Sequence, residues 1–250
     1  MTPGSPDPLP RAAASAARFR TTKWSVVIAA QNSAEQNAEA LEDLCRAYWA
    51  PVYAFLRKKG CDTHRAEDLT QGFFEKLLAK NYLSSVDRDK GKFRTFLLTA
   101  VTAFAANEWD RAQRQKRGGG VTFVSLQPGE AEDRCPVEPA TDLTPDRLFE
   151  RRWAETVLEH VMERLAQEYA AAGYQQRFEV LKVFLVDARG AIPFGDAARQ
   201  VGLSEAAVKS FVHRLRNRYR EILREEIAET VDDPREIDGE IRHMLTALAD

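Results

Sequence analysis

Apolar residues recur at helical spacing through most of the chain, and the stretches where that rhythm stops divide it. Leu41, Leu44, Cys45, Tyr48, Val52, Phe55 and Leu56 form one stripe. Ser33 and Gln36 have capping-box spacing at its start, Pro51 predicts a local kink, and Gly60 closes it behind three cations. Asp62 or Thr63 would cap a second helix, His64 to about Asn81, whose apolar face is Ala66, Leu69, Phe73, Leu77 and Leu78. A third stripe, Phe93, Phe96, Leu97, Ala100, Val101 and Phe104, continues to Lys116 and is stopped by Gly118-Gly119-Gly120. As one helix it would be about 36 Å long. Ahead of these, Lys23–Gln31 reads as a short helix.

The pattern resumes after residue 143. Thr144-Pro145 has the form of an N-cap followed by an N1 proline. The helix it opens runs through Leu148, Phe149, Trp153, Val157, Val161, Leu165 and Tyr169 to near Gly173. Phe178, Leu181, Phe184 and Leu185 mark a further helix, broken at Gly190–Pro193. Next comes Asp196-Ala-Ala-Arg-Gln-Val-Gly-Leu-Ser-Glu-Ala-Ala-Val-Lys209, with the grammar of a helix-turn-helix. Ala198 is small where a second helix must approach, Gly202 suits the sharp turn, and Ser204 can cap the helix that follows. That helix has an apolar stripe at Val208, Val212, Leu215, Tyr219 and Ile222. A last stripe, Ile237, Ile241, Met244, Leu245 and Leu248, predicts one more helix. The fold class is all-α: two helical bundles joined by a flexible linker, the second carrying the helix-turn-helix.

Composition sets the boundaries. Residues 1–20, rich in Pro, Ala, Ser and Gly, read as a disordered N-terminus. Residues 21–117 form a first helical domain, and the Gly- and Pro-bearing acidic stretch 118–143 a linker, with Val121–Leu126 as a brief extended segment. Residues 144–224 form a second domain, and 225–250 an acidic helical extension. The overall charge of −2 conceals strong segregation. Arg88–Arg117 carries +5 and Glu205–Arg224 carries +4, while Glu130–Glu150 carries −5 and Glu225–Asp250 carries −7. Charge complementarity alone suggests that the acidic extension folds over the basic helix after Ser204 and competes with DNA; a helix that simply buttresses the second bundle is the plainer alternative. Three cysteines without metal-binding or paired spacing, and no stretch of membrane-spanning length, read as a soluble cytoplasmic protein with reduced thiols.

Enzyme motifs are absent: there is no phosphate-binding glycine loop, no HExxH, no GxSxG and no CxxC. His64 and Glu67 share a helix face, but once only and in reversed order for a helical di-metal site, so no metal or cofactor is expected. The second half of the Phe93–Lys116 helix instead presents Asn107, Trp109, Arg111, Gln113, Arg114, Lys116 and Arg117. Cations for phosphate, amides for base edges and an aromatic for stacking suit single-stranded or melted nucleic acid. A solvated charged helix end with Trp109 turned inward is the plain alternative.

His64-Arg-Ala-Glu-Asp-Leu-Thr-Gln-Gly-Phe-Phe-Glu-Lys-Leu-Leu78 resembles the polymerase-binding helix of bacterial RNA polymerase sigma factors of the extracytoplasmic-function type, in the sigma-70 family. Phe93–Arg117 resembles their promoter-melting segment. Ile192–Leu223 resembles the winged-helix-like region 4 that reads the minus-thirty-five element. The resemblance covers roughly residues 22–117 and 144–224, in the family's order. It implies that Glu67, Asp68, Gln71, Phe74 and Glu75 contact core polymerase, with Phe74 rather than Phe73 turned outward. It implies that Asn107, Trp109, Arg111, Arg114, Lys116 and Arg117 hold the opened minus-ten strand. Ser204, Glu205, Ala206, Lys209, Ser210, His213, Arg214 and Arg216 would line the helix that enters the major groove. The implied partners are core RNA polymerase and promoter DNA, with an anti-sigma or other regulator as a further possibility. Departures are Phe96-Leu97 where many members have Trp-Leu, shifted offsets for Asn107 and Asp110, a longer Trp153–Leu185 stretch, and the acidic extension. Two rivals remain open on the residues alone: a stand-alone helix-turn-helix regulator that needs no polymerase, and an adaptor that binds only proteins.

Overall fold

A computed structural model of the chain describes residues 34–78, 92–117, 142–186, 192–231 and 233–249, with only the backbone in 34–43, 78, 113 and 115–117. The first three helices are α1 (Ala34–Lys58), α2 (Thr63–Leu78) and α3 (Phe93–Arg117). Then come α4 (Pro145–Ala171), α5 (Gln175–Leu181), α6 (Val183–Val186), α7 (Phe194–Val201), α8 (Glu205–Ala228), a 3-10 turn (Pro234–Glu236) and α9 (Ile237–Ala249). No strand occurs among the described residues, and the class is all-α. The expected helix at Lys23–Gln31, the Ser33 cap and the segment Val121–Leu126 lie outside the described residues.

The described helices fall into two compact units: Leu158–Glu225, and Phe19–Val157 together with Glu226–Asp250. The divisions thus fall inside α4 and near the end of α8.

In the unit that contains α1 to α3, local chemistry sets each helix end. α1 runs on through the buried Pro51 and stops at Gly60, whose φ of 97° belongs to the left-handed region. Asp62 Oδ1 accepts from Arg65 N at 2.8 Å, which fixes Asp62, rather than Thr63, as the cap of α2. Tyr48, Val52, Phe55 and Leu56 of α1, Leu69, Phe73 and Leu77 of α2, and Phe93, Leu97, Val101 and Phe104 of α3 are buried. Phe73 meets Phe104 edge-on at 5.6 Å, and Tyr48 meets Phe93 the same way at 5.6 Å, which joins α3 to the other two helices.

The acidic extension belongs to the same compact unit as α1 to α3. Glu240 of α9 is 1% exposed and is paired with Lys92 and Arg94, at the start of α3. His243 of the same helix lies 3.1 Å from Glu150 of α4. A buried carboxylate goes where a buried cation needs compensation, and surface charge totals do not report that.

The unit Leu158–Glu225 is built around Val161, Leu165 and Tyr169 of α4, Phe178, Leu181 and Phe184, the paired alanines Ala197 and Ala198, and Val208, Phe211, Val212, Leu215 and Ile222 of α8. Tyr169 is its hub, with ring contacts to Phe178 at 5.8 Å and Phe211 at 5.5 Å. α7 and α8 are joined by the residues Gly202, Leu203 and Ser204. Gly202 has φ 67° and ψ 32°, and both its amide and that of Leu203 return to Ala198 O, which satisfies the end of α7.

Candidate nucleic-acid interface

The exposed part of α8 follows from its cap. Ser204 Oγ accepts from Ala207 N at 3.2 Å and so starts the helix with Glu205 as its first residue. Glu205, Ala206, Lys209, Ser210 and His213 then fall at i, i+1, i+4, i+5 and i+8, on one face. All five are exposed, as is Ser204, while Val208, Phe211, Val212 and Leu215 of the opposite face are buried. Lys209 Nζ is held by Glu205 at 2.6 Å and stands 5.5 Å from the ring centre of Phe194. Phe194 is itself stacked on Phe184 at 4.7 Å. His213 Nε2 lies 3.2 Å from Asn217 Nδ2. The face therefore offers a cation, a hydroxyl and an imidazole, with Asn217 one turn on.

Two of the expected α8 residues have other employment. Arg216 is half-buried and donates from Nε (3.2 Å) and Nη2 (2.9 Å) to the carbonyl of Phe184 at the end of α6. Arg214 is also half-buried, with its guanidinium 5.9 Å from the Phe211 ring centre and its Nε enclosed. Helical spacing explains both: Arg216 follows the core residue Leu215, and Arg214 follows the exposed His213 by one step toward the core. Arg199 of α7, 82% exposed and paired with Asp196, was not among the expected contacts although it stands on the helix before the turn.

On α3, Asn107, Arg111 and Arg114 are exposed at i, i+4 and i+7, and Trp109 is half-buried. Arg111 is held by Glu108 at 2.8 Å. Lys116 and Arg117 belong to the helix, with their side chains outside the described residues. On α2, Asp68, Gln71 and Glu75 are exposed and Glu67 is half-buried. Gln71 Nε2 donates to Glu75 Oε1 at 2.9 Å. These four make a continuous acidic and amide strip.

Phe74 does not belong to that strip. It is 3% exposed and lies flat against Trp49 of α1, ring centres 5.9 Å apart at 11°. Phe73, 2% exposed, faces the core beside it, so neither aromatic points outward. The half-buried Trp49 supplies a lid that adjacent-residue periodicity on α2 could not reveal.

These three helices are what the comparisons recognise. Residues 39–115 match Sigma-70 region 2. The match takes in most of α1, all of α2 and nearly all of α3, just under a third of the chain. No curated protein and no solved structure matches the chain. The region 2-like segment thus includes both the α2 strip and the cationic end of α3, while α7 and α8 lie outside it.

A cluster that was not anticipated joins the start of α3 to α4 and α9. Arg94, 5% exposed, donates from Nε to Glu240 Oε1 at 2.9 Å and from Nη2 to Glu240 Oε2 at 3.3 Å. Its Nη1 pairs with Glu150 and lies 2.8 Å from His243 Nε2, and its guanidinium stands 4.8 Å from the Trp153 ring centre. Burial would lower the Arg94 pKa, but the bonds to Glu240 and Glu150 outweigh it and hold it above the ordinary value. A signal existed in the sequence: Arg94 is three residues before Leu97 and seven before Val101, a cation on an apolar stripe. Among the described residues no group of three or more His, Cys, Asp or Glu is placed to hold a metal, and no helix is long and apolar enough to cross a membrane.

Proposed function

We propose that this chain is a sigma factor of the extracytoplasmic-function type, which binds core RNA polymerase and directs promoter recognition and transcription initiation. The observation that carries the reading is the Sigma-70 region 2 match over α1 to α3. Within that segment, Glu67, Asp68, Gln71 and Glu75 form a strip suited to a basic partner helix on core polymerase. Asn107, Arg111 and Arg114, with Trp109 beside them, supply hydrogen bonds, charge and a ring for an opened minus-ten strand. Helix α8 would enter the major groove at the minus-thirty-five element with Lys209, Ser210 and His213 toward the bases. Ser204, Glu205 and Ala206 would lie at its entering end. Arg214 and Arg216 act mainly on the scaffold. The chain then does no covalent chemistry and works in the cytoplasm, lending promoter specificity to an enzyme that lacks it.

Transcription by purified core polymerase on a genomic promoter library, with and without the protein, tests the reading. New, discrete start sites are expected only with both components. Tight binding of the chain to promoter duplex without core, and no start sites with it, would favour a stand-alone regulator instead. Within an active system, Lys209→Ala with His213→Ala should reduce transcription from a cognate promoter and leave co-purification with core intact.

A further inference from the structure

Glu240 occupies its site in the manner of a bound anion. The Arg94 fork grips it with two nitrogens, the geometry by which guanidinium takes either carboxylate or phosphate, and Lys92 adds an ammonium from the rim. The site stands at the N-terminal end of the 25-residue α3, where the helix dipole favours negative charge. Two of its walls do not depend on α9: Trp153 covers the guanidinium, and Glu150 pairs with Nη1, both from α4. If α9 left, Glu150 would keep its nitrogen and Trp153 its stacking. Arg94 Nε and Nη2 and Lys92 Nζ would then be left facing an empty, preformed anion site.

Helix α9 is suited to leaving. It has 13 residues, a length at which a helix without tertiary support is marginal in water. Met244 and Ala247 seat it in the core, but Leu245 is 54% exposed. The bonds of Glu240 to Lys92 and Arg94, with His243 against Arg94 and Glu150, are its polar ties to α3 and α4 among the described residues.

We propose that Glu240 is a built-in stand-in for a nucleic-acid phosphate. It keeps the Lys92–Arg94 end of α3 closed until a DNA strand running along that helix displaces α9. The free chain is then partly self-inhibited for DNA. This rests on the reading of α3 as a nucleic-acid-facing helix.

The test uses the full chain without polymerase and a fluorescent dT 20-mer as probe. Glu240→Gln should bind the oligonucleotide several-fold more tightly than the parent chain. Its log-affinity against log-salt slope should steepen by about 0.7 to 1.4, the equivalent of one or two added phosphate contacts. Adding Lys92→Gln should remove most of that gain. A folded Glu240→Gln chain, judged by circular dichroism, with unchanged affinity and slope would overturn the proposal. Should that variant not fold, hydrogen exchange in the parent chain decides: faster exchange over residues 237–249 with saturating oligonucleotide supports displacement, and unchanged protection refutes it. Promoter-specific initiation by the parent chain, alongside a null result here, would remove only this inference. Absence of initiation would remove the sigma reading and leave the comparison of the two chains standing.

Discussion

Arg218 and Glu168 form a two-pronged ion pair between α8 and α4, with Nε to Oε2 and Nη2 to Oε1 both at 2.7 Å. Glu221 and Glu225 bond the same guanidinium at 3.0 and 3.3 Å. The hydrogen bonds to Glu168, ahead of the other contributions, hold Arg218 well above its ordinary pKa. This arginine sits on the basic helix but is committed to the scaffold. Arg218→Ala should lower stability by about 1–2 kcal/mol, since bonds between charged groups at a partly buried site exceed surface pairs. Arg220→Ala, at an exposed position bonded to Asn217, should change it by less than about 0.5 kcal/mol. Thermal melts of the two variants check the difference, and equal shifts would contradict it.

The turn before α8 makes a separate prediction. A Cβ placed on Gly202 meets nothing within 4 Å, so substitution there is a test of backbone conformation alone. With φ at 67°, Gly202→Ala should cost about 1–2 kcal/mol, the left-handed penalty for a residue with a side chain. Gly202→Asn should recover part of it, because asparagine tolerates that region. The measurement is the urea midpoint at constant m-value; equal loss in both variants would show that something other than φ is at stake.

How far these features could be read from residue order differs by kind. Helix starts and stops were legible wherever one residue type does one local job: Asp62, Thr144 and Ser204 as caps, Gly60 and Gly202 as ends. Thr144 Oγ1, for example, accepts from Arg147 N at 3.3 Å. Long-range pairing was not legible. The stripe on α8 omits Phe211, which is 4% exposed and touches Tyr169 and Tyr174, because a second apolar residue beside Val212 widens the face. Arg216 reads as a groove cation until Phe184 O, 32 residues away, claims it. Glu240 and Arg94 are 146 residues apart, and no local pattern joins them.

Phe74 gives a mutational contrast with Asp68 on the same helix. Phe74→Ala removes a ring that is 3% exposed and stacked on Trp49, and should cost about 3–5 kcal/mol. Asp68→Ala, at an exposed site, should stay within about 0.5 kcal/mol. Under the proposed function, Asp68→Ala nevertheless reduces co-purification with core polymerase. Stability from urea titration and polymerase recovery, measured on both variants, separate a folding role from a contact role. Recovery unchanged in Asp68→Ala would remove that residue from the interface.

Acid should remove the Glu240 contact only below the ordinary carboxylate range. Burial alone would raise the Glu240 pKa, but the bonds from Arg94 and Lys92 outweigh it and place it below its ordinary value of 4.5. A carboxylate depressed in the folded state binds fewer protons there than in the unfolded chain. Its contribution is therefore complete above pH 4.5 and is lost as the pH falls through the lower folded value. The groups facing it are Lys92 and Arg94; Glu150 and His243, which share Arg94, are the other titratable groups at the cluster. Glu240→Gln removes the titrating group, so the parent chain should lose stability more steeply than this variant as the pH falls below 4.5. Urea midpoints across that range provide the comparison. Parallel pH profiles for the two chains would mean that Glu240 is not held as an anion by Arg94 and Lys92.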